Sequence, residues 1–122
     1  MTATEPSDHH NRDAKPSLNT DARLQQLLKL LEADPTDAFC LYGLGQEYAR
    51  RGSVDEAVTY YDRCIAVDRD YCYAYFHKAR SLEEADRIDA AIAALRIGLE
   101  RARASGDAHA ASEIAGYLDQ LT

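Results

Sequence analysis

The chain has 122 residues, enough for one domain with a single shared core. Its 21 acidic and 14 basic residues give a net charge of −7, which disfavours nucleic-acid binding, because an acidic surface gains nothing from displacing the counterions of a polyanion. No segment approaches the roughly 18 apolar residues of a membrane span, and the N-terminus lacks the apolar core of a secretion signal. We therefore expect a cytoplasmic protein that binds neither nucleic acid nor membrane.

The first 18 residues differ in kind from the rest. They contain Pro6, Pro16 and mixed polar residues, with no apolar periodicity. Such a segment has too little to bury to offset the entropy of ordering it, so we predict a disordered tail over residues 1–18 and a folded domain over residues 19–122. His9 and His10 are adjacent in this tail and form a poor metal site, so no metal is expected.

The folded part begins with leucines at helical spacing, which predict a helical half-unit over residues 21–33. Two full units of two helices each follow, over residues 38–71 and 72–105. A capping helix over residues 107–121 completes about six helices. The short connections between them make neighbouring helices antiparallel.

The two full units superimpose at an offset of 34 residues, the distance from Leu41 to Tyr75. Large apolar residues meet large ones, and small residues meet small ones, at nearly every structural position. Repetition at this period predicts stacked helix–turn–helix units, none of which can bury its apolar face alone. The aligned positions are Leu41, Leu44, Gly45, Tyr48, Ala57, Tyr61 and Cys64 with Tyr75, Lys78, Ala79, Leu82, Ala91, Leu95 and Gly98.

Local signals mark the ends of these helices. Gly52 and Gly106 suit the left-handed residue that follows a helix. Ser53 and Glu56 have the spacing of a capping box at the start of the next helix. Three aspartates precede apolar periodicity and are candidate N-caps: Asp37, Asp70 and Asp107.

The pattern resembles the tetratricopeptide repeat family, as a small bacterial-type member, over roughly residues 21–121. Leu41, Leu44-Gly45 and Tyr48 match the family's first helix, and the resemblance continues through Gly52, Ala57, Tyr61 and Cys64. Three positions depart from it: Lys78 replaces a core leucine, Asp86 the turn glycine and Arg69 a helix-stopping proline. The resemblance implies an all-α fold, a right-handed stack of antiparallel helix pairs whose first helices line a concave groove.

That groove would bind a peptide or helix of a partner protein. Carried over position by position, the resemblance implies that it is lined by Phe39, Tyr42, Gln46, Ala49, Arg50, Tyr73, Phe76, His77, Arg80 and Glu83, with His109, Ser112 and Asp119 from the final helix. Arg50 and Arg80 would favour partner segments with acidic residues. Two alternatives stay open for these aromatic residues, namely packing within the array and self-association.

Chaperone-binding members of the family hold an acidic C-terminal tail with lysine, asparagine and arginine at defined groove positions. In this chain those positions carry Tyr42, Gln46, His77, His109 and Glu113. Because no cationic pair is present, capture of such a tail is not expected.

Catalytic signals are weak. The three cysteines form no CxxC pair, and a Cys–His77 pairing lacks a third orienting group. Glu83 and Glu84 are adjacent on a helix and point about 100° apart, as on a solvated face. We expect a non-catalytic interaction scaffold without a cofactor, either a monomer or a weak homodimer. The alternative is a structural or assembly subunit that dimerises through its terminal helices.

Overall fold

The computed structural model describes the backbone of residues 11–122 and the side chains of residues 21–122. This part of the chain folds into six α-helices and contains no strand, which confirms the predicted all-α repeat stack. The helices are α1 (Asn11–Ala33), α2 (Ala38–Arg50), α3 (Val54–Val67), α4 (Cys72–Glu84), α5 (Ile88–Ser105) and α6 (Ala108–Leu121).

The helices stack in chain order, each against the next. In addition α4 touches both α2 and α6, whereas α3 and α5, which lie entirely in the described region, do not touch each other. Helices that approach on one side of an array and separate on the other make it curve. The first helices of the pairs, α2, α4 and α6, therefore line the concave side, and α3 and α5 lie on the convex side.

Burial repeats with the 34-residue period. Leu41 and Gly45 of α2 are buried, as are Tyr75 and Ala79 at the equivalent positions of α4. The small residues are sites of close approach between helices. A Cβ atom added to Gly45 would lie 2.5 Å from Cε1 of Tyr61, and one added to Gly98 would lie 2.6 Å from Cβ of Tyr75.

The turns after α2 and α5 contain the predicted left-handed glycines, with φ of 76° at Gly52 and 78° at Gly106. After α4 the same turn is made by Asp86, with φ of 62°. A side chain in this region is strained, but the chain still closes the turn through a bond from the Arg87 amide to the Leu82 carbonyl (2.8 Å). Aspartate in place of glycine therefore raises the energy of the turn but leaves its backbone conformation unchanged.

Two of the predicted N-caps are confirmed, since the side chains of Asp37 and Asp107 accept bonds from the amides of Cys40 and Ala110. The Asp70 cap is wrong because α4 takes Tyr71 as its N-cap residue. Asp70 instead accepts a bond from Nε of Arg101 on α5 (2.8 Å).

The predicted capping box at the start of α3 is also wrong. Ser53 is the N-cap residue, but its side chain makes no capping bond. Its backbone N–H donates to the carbonyl of Tyr48 (3.0 Å). That donor is therefore not available to Glu56, whose side chain would have to accept it to complete the box.

Helix α1 begins at Asn11, whereas the predicted tail extended to residue 18. Extending a formed helix needs no new nucleation, so the helix of the leucine-bearing segment can continue upstream without apolar residues. Residues 1–10 of the predicted tail, which include His9 and His10, lie outside the described residues. At its other end α1 stops at Ala33, where the half-unit was predicted to stop.

Lys78 lies at the position that the repeat fills with leucine. Its Nζ is 2.6 Å from Oδ1 of Asp62 on α3, and its side chain is only 25% exposed. A lysine is accommodated at this leucine position with most of its side chain covered and its ammonium group paired with a half-exposed carboxylate.

Candidate partner-binding groove

Two hollows lie on the concave side and share one residue, Arg80 of α4. The α4–α6 hollow has a volume of about 440 Å³ and is lined by side chains of both helices, among them Phe76, Arg80, Glu83, Glu113 and Tyr117. The α2–α4 hollow, of about 270 Å³, is lined among others by Gln46, Arg50, His77, Arg80 and Glu84. Together they form a groove across the three first helices.

Aromatic rings run along this groove from one helix to the next. Tyr42 of α2 lies 5.1 Å from Tyr71 and 5.7 Å from His77, measured between ring centroids. Phe76 of α4 lies 5.2 Å from both His77 and Tyr117. We call these five residues the aromatic row. Tilted and edge-to-face pairs at these distances each stabilise the packing by about 0.5–1.5 kcal/mol beyond area burial.

Most of the predicted groove residues are brought together here. Gln46, Arg50, His77 and Arg80 line the α2–α4 hollow, and Phe76 lines the other. Tyr42 belongs to the aromatic row, and the Tyr73 ring lies 6.2 Å from that of Phe76.

Phe39 stands apart from this group. Its side chain is 71% exposed at the start of α2 and lines neither hollow. Phe39 lies three residues before Tyr42, a spacing that places both on one face of α2, but spacing alone does not show whether a neighbouring helix covers the first turn.

On α6 the structure differs from the predicted set. Ser112 lines the α4–α6 hollow as expected, but His109 and Asp119 do not. Glu113 and Tyr117 line it instead, and sequence reasoning gave Tyr117 no role. A signal for it exists in the spacing, because Glu113, Tyr117 and Gln120 follow one another at intervals of four and three residues and so share a helix face.

Two hydrogen bonds join α4 to α6 at the hollow between them. The Tyr73 hydroxyl donates to Oε1 of Glu113 (2.8 Å), and the Tyr117 hydroxyl donates to Oε1 of Glu83. The bond to Glu113 raises the pKa of Tyr73 to about 12, and burial together with the bond to Glu83 raises the pKa of Tyr117. Both hydroxyls therefore stay protonated at neutral pH and keep the two carboxylates in place.

His77 occupies the centre of the aromatic row. Burial is the main reason that its pKa is lowered, and the nearby Arg80 guanidinium lowers it further, against a smaller opposite effect of Glu113. The imidazole is therefore neutral at pH 7 and presents a flat, weakly polar ring to the groove.

Gln46 and Arg50 are each tied to the core of the first unit. The buried Tyr61 hydroxyl donates to Oε1 of Gln46 (2.6 Å). Arg50 forms an ion pair with Glu47, whose side chain is 1% exposed and also accepts a bond from Arg23 of α1 (2.9 Å). Glu47 is thus a buried charge satisfied from both sides, and part of the Arg50 charge is used in satisfying it.

The cysteines do not form reactive sites. Cys40, Cys64 and Cys72 are all free and buried. Burial raises the pKa of each thiol, that of Cys64 to about 12, so the nucleophilic thiolate is scarce at neutral pH. Among the residues with described side chains, no three of His, Cys, Asp or Glu are placed to hold a metal ion. None of the described helices is long and apolar enough to cross a membrane.

Comparison with known proteins identifies the repeat. A family model described as "Tetratricopeptide repeat" matches residues 40–71. A tetratricopeptide repeat domain protein from Salinibacter ruber is 31% identical, with a TM-score of 0.67, and the match covers 72% of this chain and 89% of that one. No curated protein matches the chain significantly.

More distant structures share the fold. PcrH, solved in complex with the chaperone binding region of PopD, has a TM-score of 0.78 at 18% identity, covering 99% of this chain and 96% of that one. The Yersinia enterocolitica type III secretion chaperone SycD, solved in complex with a peptide of the translocator YopD, has a TM-score of 0.76 at 19% identity, covering 89% and 84%. At such identities the likeness shows the architecture alone. The identity with the Salinibacter relative, the matched repeat model and the stacked helix pairs show that this chain belongs to the tetratricopeptide repeat family.

Proposed function

We propose that this protein is a non-catalytic interaction scaffold whose concave groove binds a peptide or helical segment of a partner protein. The observation that carries the proposal is the aromatic row bordered by two hollows on one side of the array. Residues 19–122 would act as a single recognition domain.

The groove has the physical properties of a recognition surface. Its larger hollow, about 440 Å³, lies within the ~300–1,000 Å³ range of small binding sites and can accept one or two apolar side chains. Partly exposed rings such as Phe76 lose little conformational entropy on binding and offer a large apolar area. Truncating an aromatic anchor of this kind typically weakens binding by ~2–4 kcal/mol.

The structural neighbours support the choice of ligand. PcrH and SycD, whose folds are similar, were both solved with a segment of another protein bound. We extend that mode of binding to this chain as part of the proposal. We further propose that the protein needs no cofactor and acts in the cytoplasm, where free thiols such as those of its three cysteines are maintained.

The test begins with a phage-displayed library of random linear peptides selected on the whole chain. We expect selected peptides to bind the wild type and to lose at least thirtyfold in affinity when Tyr42 and Phe76 are both replaced by alanine. The matched control replaces Tyr48 and Tyr60 by alanine, because these two rings stack on each other at 5.5 Å and line neither hollow. The Tyr48→Ala, Tyr60→Ala variant should bind the selected peptides with unchanged affinity. Circular dichroism should show cooperative thermal unfolding of both double variants.

Two results would contradict the proposal. One is a Tyr42→Ala, Phe76→Ala variant that binds the selected peptides as the wild type does. The other is a variant that no longer folds, because the rings would then belong to the core and the packing alternative would hold.

Self-association is the second candidate, and one observation favours it. Leu30 is 53% exposed on α1, a terminal helix that packs only against α2 among the described helices. Light scattering over a range of concentrations separates the two functions, because a chain that stays monomeric at micromolar concentration does not dimerise through that surface.

A further inference from the structure

The α4–α6 hollow combines an aromatic wall with two carboxylates in fixed positions. The wall is formed by Phe76 and Tyr117, whose ring centroids are 5.2 Å apart. Glu83 on α4 and Glu113 on α6 each accept a hydrogen bond from a tyrosine of the opposite helix. Each bond uses Oε1, which leaves the second oxygen of Glu83 available to a ligand, whereas Oε2 of Glu113 lies 3.7 Å from Nε2 of the exposed His109 and would be shared with it.

The charges that line this hollow do not balance. Glu83 and Glu113 carry two negative charges, and Arg80 is the one cation among the described residues that line it. Within the same part of the chain no ion pair joins Arg80 to either carboxylate. An occupant with a positive charge would therefore neutralise this end of the groove.

The α2–α4 hollow has the opposite balance. Arg50 and Arg80 line it against a single carboxylate, Glu84. Arg80 lines both hollows, so its single positive charge is shared between them. Because Arg50 is already paired with Glu47, the positive charge toward α2 is small, and the acidic end at α6 is the feature that would orient a bound segment.

We propose that the α4–α6 hollow receives a lysine or arginine side chain of the partner segment. Its aliphatic stem lies against Phe76 and Tyr117, and its charged end lies between Glu83 and Glu113. A cation beside aromatic rings gains a further attraction from their electron-rich faces. This inference rests on the proposed peptide-binding function and adds to it the charge and direction of the partner segment.

The first arm of the test removes the two charges and keeps the geometry. Replacing Glu83 and Glu113 by glutamine leaves an Oε1 acceptor for each tyrosine hydroxyl, so the helix contacts persist. Peptides selected on the wild type should bind this variant about five- to tenfold more weakly, because partly exposed ion pairs are worth that much. The loss should shrink as salt rises from about 0.05 M to about 0.5 M.

The matched control is the pair Glu56→Gln and Glu100→Gln on α3 and α5. Both residues are exposed on the second helices of their pairs, so the control changes the net charge of the protein by the same amount. It should leave peptide affinity within about twofold of the wild type. An equal loss in the control would show a general charge effect and overturn the inference.

The second arm changes the peptide. Selected peptides should contain lysine or arginine. Replacing that lysine by norleucine, or that arginine by citrulline, should weaken binding to the wild type but not to the Glu83→Gln, Glu113→Gln variant. Peptides that need Tyr42 and Phe76 but no basic residue would overturn this inference and leave the groove intact. Peptides that need neither ring would overturn the proposed function as well.

Discussion

Replacing Gly45 by alanine tests the packing of the first unit at its closest point. The added Cβ would lie 2.5 Å from Cε1 and 2.6 Å from Cδ1 of Tyr61, which is fully buried. The ring cannot move away freely because its hydroxyl is bonded to Gln46. Helices α2 and α3 would therefore have to separate by roughly 1 Å to restore an ordinary carbon–carbon distance.

The expected cost follows from two opposing effects. Forcing one extra methyl group into a filled core costs ~1–3 kcal/mol. Alanine in place of glycine inside a helix gains ~1 kcal/mol. Because several ring atoms of Tyr61 would clash, we expect the strain to prevail, so that Gly45→Ala lowers the free energy of unfolding by up to ~2 kcal/mol.

Gly43 provides a matched control two residues away. A Cβ there would lie 3.5 Å from Cδ2 of Leu27, an ordinary van der Waals contact. Gly43→Ala should therefore stabilise the protein by ~0.5–1 kcal/mol through helix propensity alone. Urea denaturation followed by circular dichroism should move the midpoint in opposite directions for the two variants. If Gly45→Ala were as stable as Gly43→Ala, the close packing of α2 on α3 would be refuted.

Three further predictions concern single positions. The pKa of His77 is lowered from its ordinary value of 6.5, so as the pH falls the unfolded chain takes up this proton before the folded chain does, and wild-type stability should drop below pH 6.5. In His77→Gln this part of the loss should be absent from denaturation curves measured between pH 7.5 and 5. Asp86→Gly should raise the free energy of unfolding by ~0.5–1 kcal/mol because φ there is 62°, and a lower melting temperature would contradict it. Lys78→Leu should change the free energy of unfolding by less than ~1 kcal/mol, since the buried methylenes of leucine offset the loss of a half-exposed ion pair. A larger loss of stability in urea titration would show that the ion pair with Asp62 is strong.

The sequence predicts the stack well because the repeat expresses packing directly. A small residue is needed wherever a large side chain of a neighbouring helix approaches closely, as at Gly45 and Gly98. The alternation of large and small residues therefore repeats with the unit, and the helix order follows from it. The same reasoning found the α2 and α4 parts of the aromatic row.

The repeat pattern predicts contacts less well where they depend on the rotation of one helix relative to its neighbour. Helix α5 has 18 residues where α3 has 14, and the turn after it is shorter, so α6 begins two residues late relative to the 34-residue period and Tyr117 was missed. The bonds of Tyr73 and Tyr117 to glutamates of the opposite helix connect residues 40 and 34 positions apart. No local pattern records such pairs.

Buried charge was likewise not predictable from the sequence. Glu47 reads as a surface residue of α2, and only the approach of α1 with Arg23 shows that it is covered and paired. Because that pairing also involves Arg50, the charge of the groove differs from a simple count of its arginines. This is why the expected preference for acidic partner segments applies at most to the α2–α4 hollow.

The most direct test of the proposed groove is to locate a selected peptide by NMR. Backbone amide shifts of the ¹⁵N-labelled chain would be followed during titration with one peptide from the library. We predict that the largest changes fall on the concave helices, around Tyr42, His77, Phe76 and Tyr117, and leave the outer faces of α3 and α5 unchanged. Changes concentrated on α3 and α5, with α2, α4 and α6 unaffected, would contradict binding in the concave groove.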